Sequence, residues 1–175
     1  FTRQDLGLPE KGFVFCCLNN TYKITPTTFD SWARILEDVE GSVLLIYADN
    51  TSAKENLTKE ITLRGIKPER LIFGESLSRP EYLARYRVAD LFLDTNPYNA
   101  GTTASDALRM GLPVLTLKGN SYPSRMAASI VNAVNMPELI TTTQDEYESL
   151  AIELAADPEK LKIIKDKLLG NLSTA

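Results

Sequence analysis

The hydrophobic pattern of this chain alternates between two kinds of segment. Short unbroken apolar runs, "FVFCCL" (13–18), "SVLLIYA" (42–48), "RLIF" (70–73), "DLFLD" (90–94) and "PVLTL" (113–117), are rich in β-branched or aromatic residues and end at turn signals. Runs of this length predict strands buried on both faces. Between them, apolar residues recur at helical spacing. In "TPTTFDSWARILEDV" the residues Phe29, Trp32, Ile35 and Leu36 share one face, with Thr25 expected as N-cap and Pro26 in the first helical position. "SAKENLTKEITLRG" predicts a helix closed by Gly65, "SRPEYLARY" one opened by a capping box of Ser78 and Glu81, and "TTASDALRMG" a short helix closed by Gly111. Three further helices are expected in "YPSRMAASIVNAV", in "TQDEYESLAIELAAD" with its Thr143/Glu146 box, and in "PEKLKIIKDKLLG", with a short sixth strand near Glu138 to Ile140.

Regular alternation of strand and helix implies parallel strands, right-handed crossovers and helices on both faces: an α/β, doubly wound, Rossmann-like sheet. One domain over residues 1–175 accounts for the whole chain, which carries no internal repeat, low-complexity segment or linker. The abrupt start at Phe1 and the tail "GNLSTA" are compatible with a piece of a longer protein.

Composition narrows the chemistry by exclusion. A net charge of -4 argues against a surface built to neutralise nucleic-acid phosphates, leaving room only for a local basic pocket. No apolar run approaches the ~18 residues of a membrane span, and no signal core follows the N-terminus, so the chain reads as cytoplasmic. Cys16 and Cys17 are neighbours on a strand, point to opposite faces and are expected to be reduced packing residues. The chain has no histidine, which removes the Ser-His-Asp triad, the Cys-His pair and every histidine-containing metal motif. GxGxxG, the P-loop and Asp-x-Asp are also absent, so no metal or cofactor is expected.

In open α/β sheets, ligands bind beyond the carboxyl ends of the strands, where loops enter helix N-termini. Three such loops carry unusual polar residues: "NNTYK" (19–23), "ESLSRPEY" (75–82) and "TNPYNAGTT" (95–103). In the last, Gly101 lets the backbone pass close to a ligand, and Thr102 and Thr103 offer amides and hydroxyls to a phosphate. Asp106 stands one turn later, where a carboxylate accepts from ribose hydroxyls. The local pattern fits a routine Thr102 cap with a first-turn acid equally well. Lys23 can reach a diphosphate on this edge; Arg79 and Tyr82 can contact a base or phosphate, and Tyr82 fits ordinary helix packing as well.

Three blocks carry a wider resemblance: "LGLPEKGFVFCCLNNTYKITPTTFDSWARIL", "VADLFLDTNPYNAGTTASDALRMGLPVLTLKG" and "SRMAAS". Together they resemble the C-terminal catalytic half of the O-linked N-acetylglucosaminyltransferase and SPINDLY family, over nearly the whole chain. The resemblance implies the donor-binding lobe of a two-lobed GT-B glycosyltransferase, preceded in the longer protein by an N-terminal lobe and tetratricopeptide repeats. By motif, Lys23 neutralises the diphosphate leaving group, and Asn20 stands for a polar residue near the donor. Thr102 and Thr103 hold the phosphates and Asp106 the ribose, while Arg79 and Tyr82 replace a lysine and a base-stacking histidine. Gly101 occupies the position of the histidine in a "GHTT" version of the motif, so one side-chain donor is missing. The implied reaction is metal-independent, inverting transfer of N-acetylglucosamine from UDP-N-acetylglucosamine to protein Ser or Thr, with the isolated chain expected to be inactive. A donor such as GDP-fucose or UDP-glucose, or a non-catalytic nucleotide-binding module, is the alternative.

Overall fold

The computed structural model describes residues 1–174. Six parallel strands form one sheet in the order β3-β2-β1-β4-β5-β6. They are β1 (Val14–Cys17), β2 (Val43–Tyr47), β3 (Leu71–Gly74), β4 (Leu91–Leu93), β5 (Val114–Leu117) and β6 (Ile140–Thr141). All side chains of β1 and β4 are buried, which explains why these strands read as continuous apolar runs rather than as alternating ones. The helices are α1 (Pro26–Asp38), α2 (Thr51–Leu63), α3 (Arg79–Arg85), α4 (Thr102–Arg109), α5 (Met126–Ala133), α6 (Gln144–Ala156) and α7 (Pro158–Leu172).

Strand order reverses between β1 and β4. Right-handed crossovers therefore put α1 and α2 on one face and α4 and α5 on the other, and leave a crevice beyond the carboxyl ends of β1 and β4. The chain then recrosses, since α6 packs against α1 and β5 and carries α7 on it. Trp32 of α1 is wholly buried at this junction; its Nε1 donates to Tyr147 Oη of α6 at 3.0 Å, and Tyr147 Oη donates to the carbonyl of Asp94 at 2.9 Å. A helix on one face is thus tied to the strand end that carries the crevice.

Local signals at the helix ends were mostly obeyed. Thr25 caps α1, its hydroxyl accepting from the Thr28 amide, and Gly111 follows α4 with φ +82°, the left-handed conformation that closes a helix without steric cost. Asn50, unremarked in the sequence, caps α2 in the same way as Thr25. The Ser78/Glu81 box is a correction: Ser78 Oγ donates to the Glu81 carboxylate at 2.7 Å and makes no cap bond to an amide. The helix it opens gives way after Arg85 to a 3-10 turn over Tyr86–Val88. Cys16 and Cys17 are free and buried, and burial raises both thiols far above neutrality, Cys16 to about 12. No helix among the described residues is long and apolar enough to cross a membrane.

Candidate functional site

The crevice is built on the loop between β4 and α4. Asp94 directly follows β4 and is only 2% exposed. Its Oδ1 accepts the Ala100 amide at 2.7 Å and its Oδ2 accepts the Thr116 hydroxyl at 2.7 Å, so the carboxylate closes the loop 95–100 on itself and ties it to β5. Burial pushes this carboxyl up to about 7, against hydrogen bonds from Ala100, Thr116, Thr95 and Asn19 that pull it down. Asn96, joined to Pro97 by a cis peptide bond, has its backbone carbonyl held by the hydroxyls of Thr25 (3.1 Å) and Thr28 (2.9 Å), and its side-chain Nδ2 donates to Leu117 O at 2.9 Å.

Asn99 is the second brace. Its side chain donates to Thr95 O at 2.7 Å and accepts the Ala127 amide of α5 at 3.3 Å, and its own amide donates to Pro123 O at 3.1 Å. Lys23, at the end of a 3-10 turn after β1, donates from Nζ to Asn99 O at 3.2 Å. An ammonium from one side of the strand-order reversal thus stands against the loop that enters α4 from the other side.

α4 begins with Gly101 as N-cap, so Thr102 is the first helical residue and not the cap that its position suggested. The first helical bond runs from the Ser105 amide to Gly101 O at 3.1 Å, which leaves the amides of Thr102, Thr103 and Ala104 at the open end of the helix dipole. Thr102 is exposed. The Thr103 hydroxyl donates to Asn19 Oδ1, and Asn19 Nδ2 donates to Thr95 Oγ1 at 2.8 Å. The Thr103 side chain is therefore held by Asn19, with its hydroxyl already engaged, while its backbone amide has no intrahelical acceptor. Asn20 is exposed and makes no recorded side-chain bond in the turn it begins, whereas its neighbour Asn19 is buried.

Gly101 has φ -108°, which any residue adopts, so its lack of a side chain serves space rather than a left-handed turn. A Cβ built there would lie 3.0 Å from Met126 Sδ, so the thioether of α5 fills part of the volume that a larger residue would take.

A third loop brings Arg79 and Tyr82 to the same edge. Arg79 forms a bidentate pair with Asp106, Nη1 to Oδ2 at 3.1 Å and Nη2 to Oδ1 at 3.0 Å. The guanidinium is largely exposed while Asp106 is 3% exposed, so the pair points a buried carboxylate at the surface through a planar donor fork. Tyr82 is half-buried, shares a hydrogen bond with Tyr86 at 2.8 Å and has the Arg79 guanidinium 5.5 Å from its ring centre. Burial raises its phenol above the ordinary value, so it stays neutral. Among the described residues no group of three or more His, Cys, Asp or Glu side chains could hold a metal ion.

The sequence singled out Asn20, Lys23, Arg79, Tyr82, Gly101, Thr102, Thr103 and Asp106, and the fold brings the loops that carry them to one edge of the sheet. It missed Asn19, Asp94 and Asn99, which touch each other's loops rather than solvent. The available signal was a polar residue ending an apolar strand, Asp94 in "LFLD", and the first of two asparagines continuing a buried one.

This fold, with its loops converging where strand order reverses, is that of the C-terminal half of a GT-B glycosyltransferase. The model of glycosyl transferase family 41 matches residues 1–174, and the chain belongs to that family. It is 36% identical over 167 residues to a UDP-N-acetylglucosamine–peptide N-acetylglucosaminyltransferase of Caenorhabditis elegans, covering 95% of this chain and 14% of that protein. It is 32% identical over 173 residues to the probable enzyme of that name, SEC, of Arabidopsis thaliana, covering 98% of this chain and 18% of that protein. Among solved structures, a mutant O-GlcNAc transferase of Thermobaculum terrenum superposes with a TM-score of 0.90 at 32% identity, over 93% of this chain and 32% of that one. The chain thus spans less than a fifth of these two curated relatives.

Proposed function

We propose that the chain is the donor-binding lobe of a protein O-glycosyltransferase and that its β1/β4 crevice holds the diphosphate of UDP-N-acetylglucosamine. The observation that carries this reading is the position of Lys23 Nζ, 3.2 Å from Asn99 O, against the loop that delivers the open amides of Thr102, Thr103 and Ala104. A cation and a helix N-terminus that converge from two loops make an anion socket whose charge needs no metal. In this reading the ribose hydroxyls take the place of the Arg79 fork on the Asp106 carboxylate, which Arg79 covers in the free chain, and the Tyr82 ring serves the base.

As the glycosidic bond breaks, negative charge grows on the β-phosphate. Donors fixed there before reaction stabilise the transition state more than the ground state. Lys23 is the residue assigned to that charge, with transfer to a protein Ser or Thr hydroxyl and inversion at the sugar. The N-terminal lobe and tetratricopeptide repeats of a longer protein would supply the acceptor side, so the isolated chain is expected to bind donor without turnover. Gly101 favours a second reading of the donor sugar alone, since it stands where the family motif has a histidine and Met126 Sδ lies only 3.0 Å from where its Cβ would be. GDP-fucose and UDP-glucose are therefore tested beside UDP-N-acetylglucosamine.

The experiment is thermal unfolding of the chain with UDP, UDP-N-acetylglucosamine, UDP-glucose, GDP and GDP-fucose. A true ligand at about 100 times its Kd should add ~2.7 kcal/mol, which for a domain of this size raises the midpoint by about 5 to 10 °C. UDP compounds should stabilise the wild type, and Lys23→Ala should lose most of that gain. A rise with GDP compounds alone would reassign the donor, and no rise with any nucleotide at millimolar concentration would overturn a self-sufficient donor site.

A further inference from the structure

Asp94 is a buried titratable group under the socket that the proposed reaction does not use. Among the described residues no cation forms an ion pair with it, and hydrogen bonds led by those of the Ala100 amide and the Thr116 hydroxyl oppose the cost of burying its charge. The groups that face it are neutral. Cys17 of β1 and Tyr147 of α6 are the titratable ones, and burial holds both protonated. A small cavity of about 30 Å³ on its other side is lined by Thr28 and Ser31 of α1, Leu117 of β5 and Gln144 of α6, with Asp94 its one charged side chain. Lys23, the cation of the socket, is engaged with Asn99 O on the loop.

We propose that Asp94 is a positioning residue coupled to the socket through its proton: when a diphosphate settles on the Thr102–Ala104 amides, Asp94 takes up one proton from solvent on Oδ2 and holds the loop as a neutral acid. The proposal rests on the donor-lobe reading for the identity of the anion. Its Oδ1 accepts the amide of Ala100, two residues before Thr102, so an ionised Asp94 and a bound dianion would be separated by little more than the loop. Like charges at that separation, out of water, strongly favour protonating the weaker acid. The hydrogen-bond pattern permits it. Oδ1 goes on accepting the Ala100 amide, while the Thr116 hydroxyl, now donating to Oδ2 at 2.7 Å, turns to accept. Burial pushes the carboxyl of the free chain up to about 7, within reach of protonation near neutrality.

The signs follow from linkage. Binding that takes up a proton weakens as pH rises above the free chain's midpoint. Stability moves the same way: the folded value of about 7 lies above the ordinary 3.8, so the stability Asp94 contributes is complete below about 4 and lost as pH rises through 7. Asp94→Asn, which keeps an acceptor for Ala100 and carries no charge, removes both slopes.

The test is calorimetric titration of the chain with UDP-N-acetylglucosamine at pH 7.5 in two buffers of different ionisation enthalpy. The sugar diphosphate lacks the phosphate-monoester ionisation near pH 6, so any proton taken up belongs to the protein. The expected result is uptake of roughly half a proton or more, with affinity falling roughly fivefold to tenfold from pH 7 to 8.5. Asp94→Asn should stay folded by circular dichroism, take up no proton, and bind at pH 8.5 at least as tightly as the wild type; Thr116→Val should keep the uptake. Equal heats in the two buffers for the wild type, or uptake retained by Asp94→Asn, would overturn the proposal. Should the sugar nucleotide bind at no pH, the donor-lobe reading fails, and carbon-13 titration of the Asp94 carboxyl with and without sulfate at matched ionic strength decides the coupling. A midpoint raised by about half a pH unit supports it, and an unmoved midpoint overturns it.

Discussion

Lys23→Ala in the full-length protein is expected to lower kcat for sugar transfer by roughly a hundredfold to a thousandfold, the usual cost of removing one preorganised donor from developing oxyanion charge. The fold should scarcely notice. Lys23 is half-buried in a turn and its side chain makes one hydrogen bond, at 3.2 Å to Asn99 O, so unfolding stability should change by only about 1 kcal/mol. Lys23→Arg should not restore the rate, because a planar fork cannot occupy the place of a compact ammonium braced on that carbonyl. Steady-state kinetics beside a denaturant curve check both halves. A fall in kcat that tracks a fall in stability would assign Lys23 to the fold rather than to the leaving group.

Trp32→Ala should have the largest effect on stability. The indole is fully buried, meets Phe29 edge-on at 6.1 Å and donates to the Tyr147 hydroxyl that in turn holds the Asp94 carbonyl. Truncating a buried tryptophan costs about 3 to 5 kcal/mol, a large share of the ~5 to 15 kcal/mol that stabilises a typical domain. The thermal midpoint should fall by about 6 to 20 °C. Since Trp32 is the chain's one tryptophan, the variant is followed by circular dichroism rather than fluorescence. Trp32→Phe, which keeps most of the apolar volume, should lose much less. A drop as large in Trp32→Phe would place the energy in the hydrogen-bonded link to Tyr147 rather than in packing.

The parts of this fold legible in the sequence were those decided locally. Strands buried on both faces leave unbroken apolar runs, and Thr25, Pro26 and Gly111 mark helix ends because their own chemistry closes or opens a helix. The Ser78/Glu81 pair has the spacing of Thr143/Glu146, where the threonine hydroxyl donates to the Glu146 carboxylate and also accepts the Glu146 amide; the Ser78 hydroxyl makes only the first of those bonds and caps nothing. Thr102 looked like a cap and is not one, because the chain takes its helical turn one residue earlier, at Gly101. What remained hidden is tertiary. Arg79 and Asp106 were each read as ligand groups, but their pairing across 27 positions depends on two loops meeting at the sheet edge. Asn19 and Asn20 are indistinguishable as letters, and burial beside Thr95 and Thr103 selects Asn19 as the brace. Asp94 and Asn99 act by holding backbone, a role with no periodicity or motif to betray it.

The central claim is that the open end of α4, facing Lys23, is the anion socket. The most direct test is a nitrogen-15 correlation spectrum of the chain titrated with UDP. The largest amide shifts are expected on Thr102, Thr103 and Ala104, with smaller ones at Lys23 and Ala100. Shifts confined to the separate cleft lined by Phe1, Asp5, Phe73 and Glu75, with the α4 amides unmoved at saturation, would contradict it.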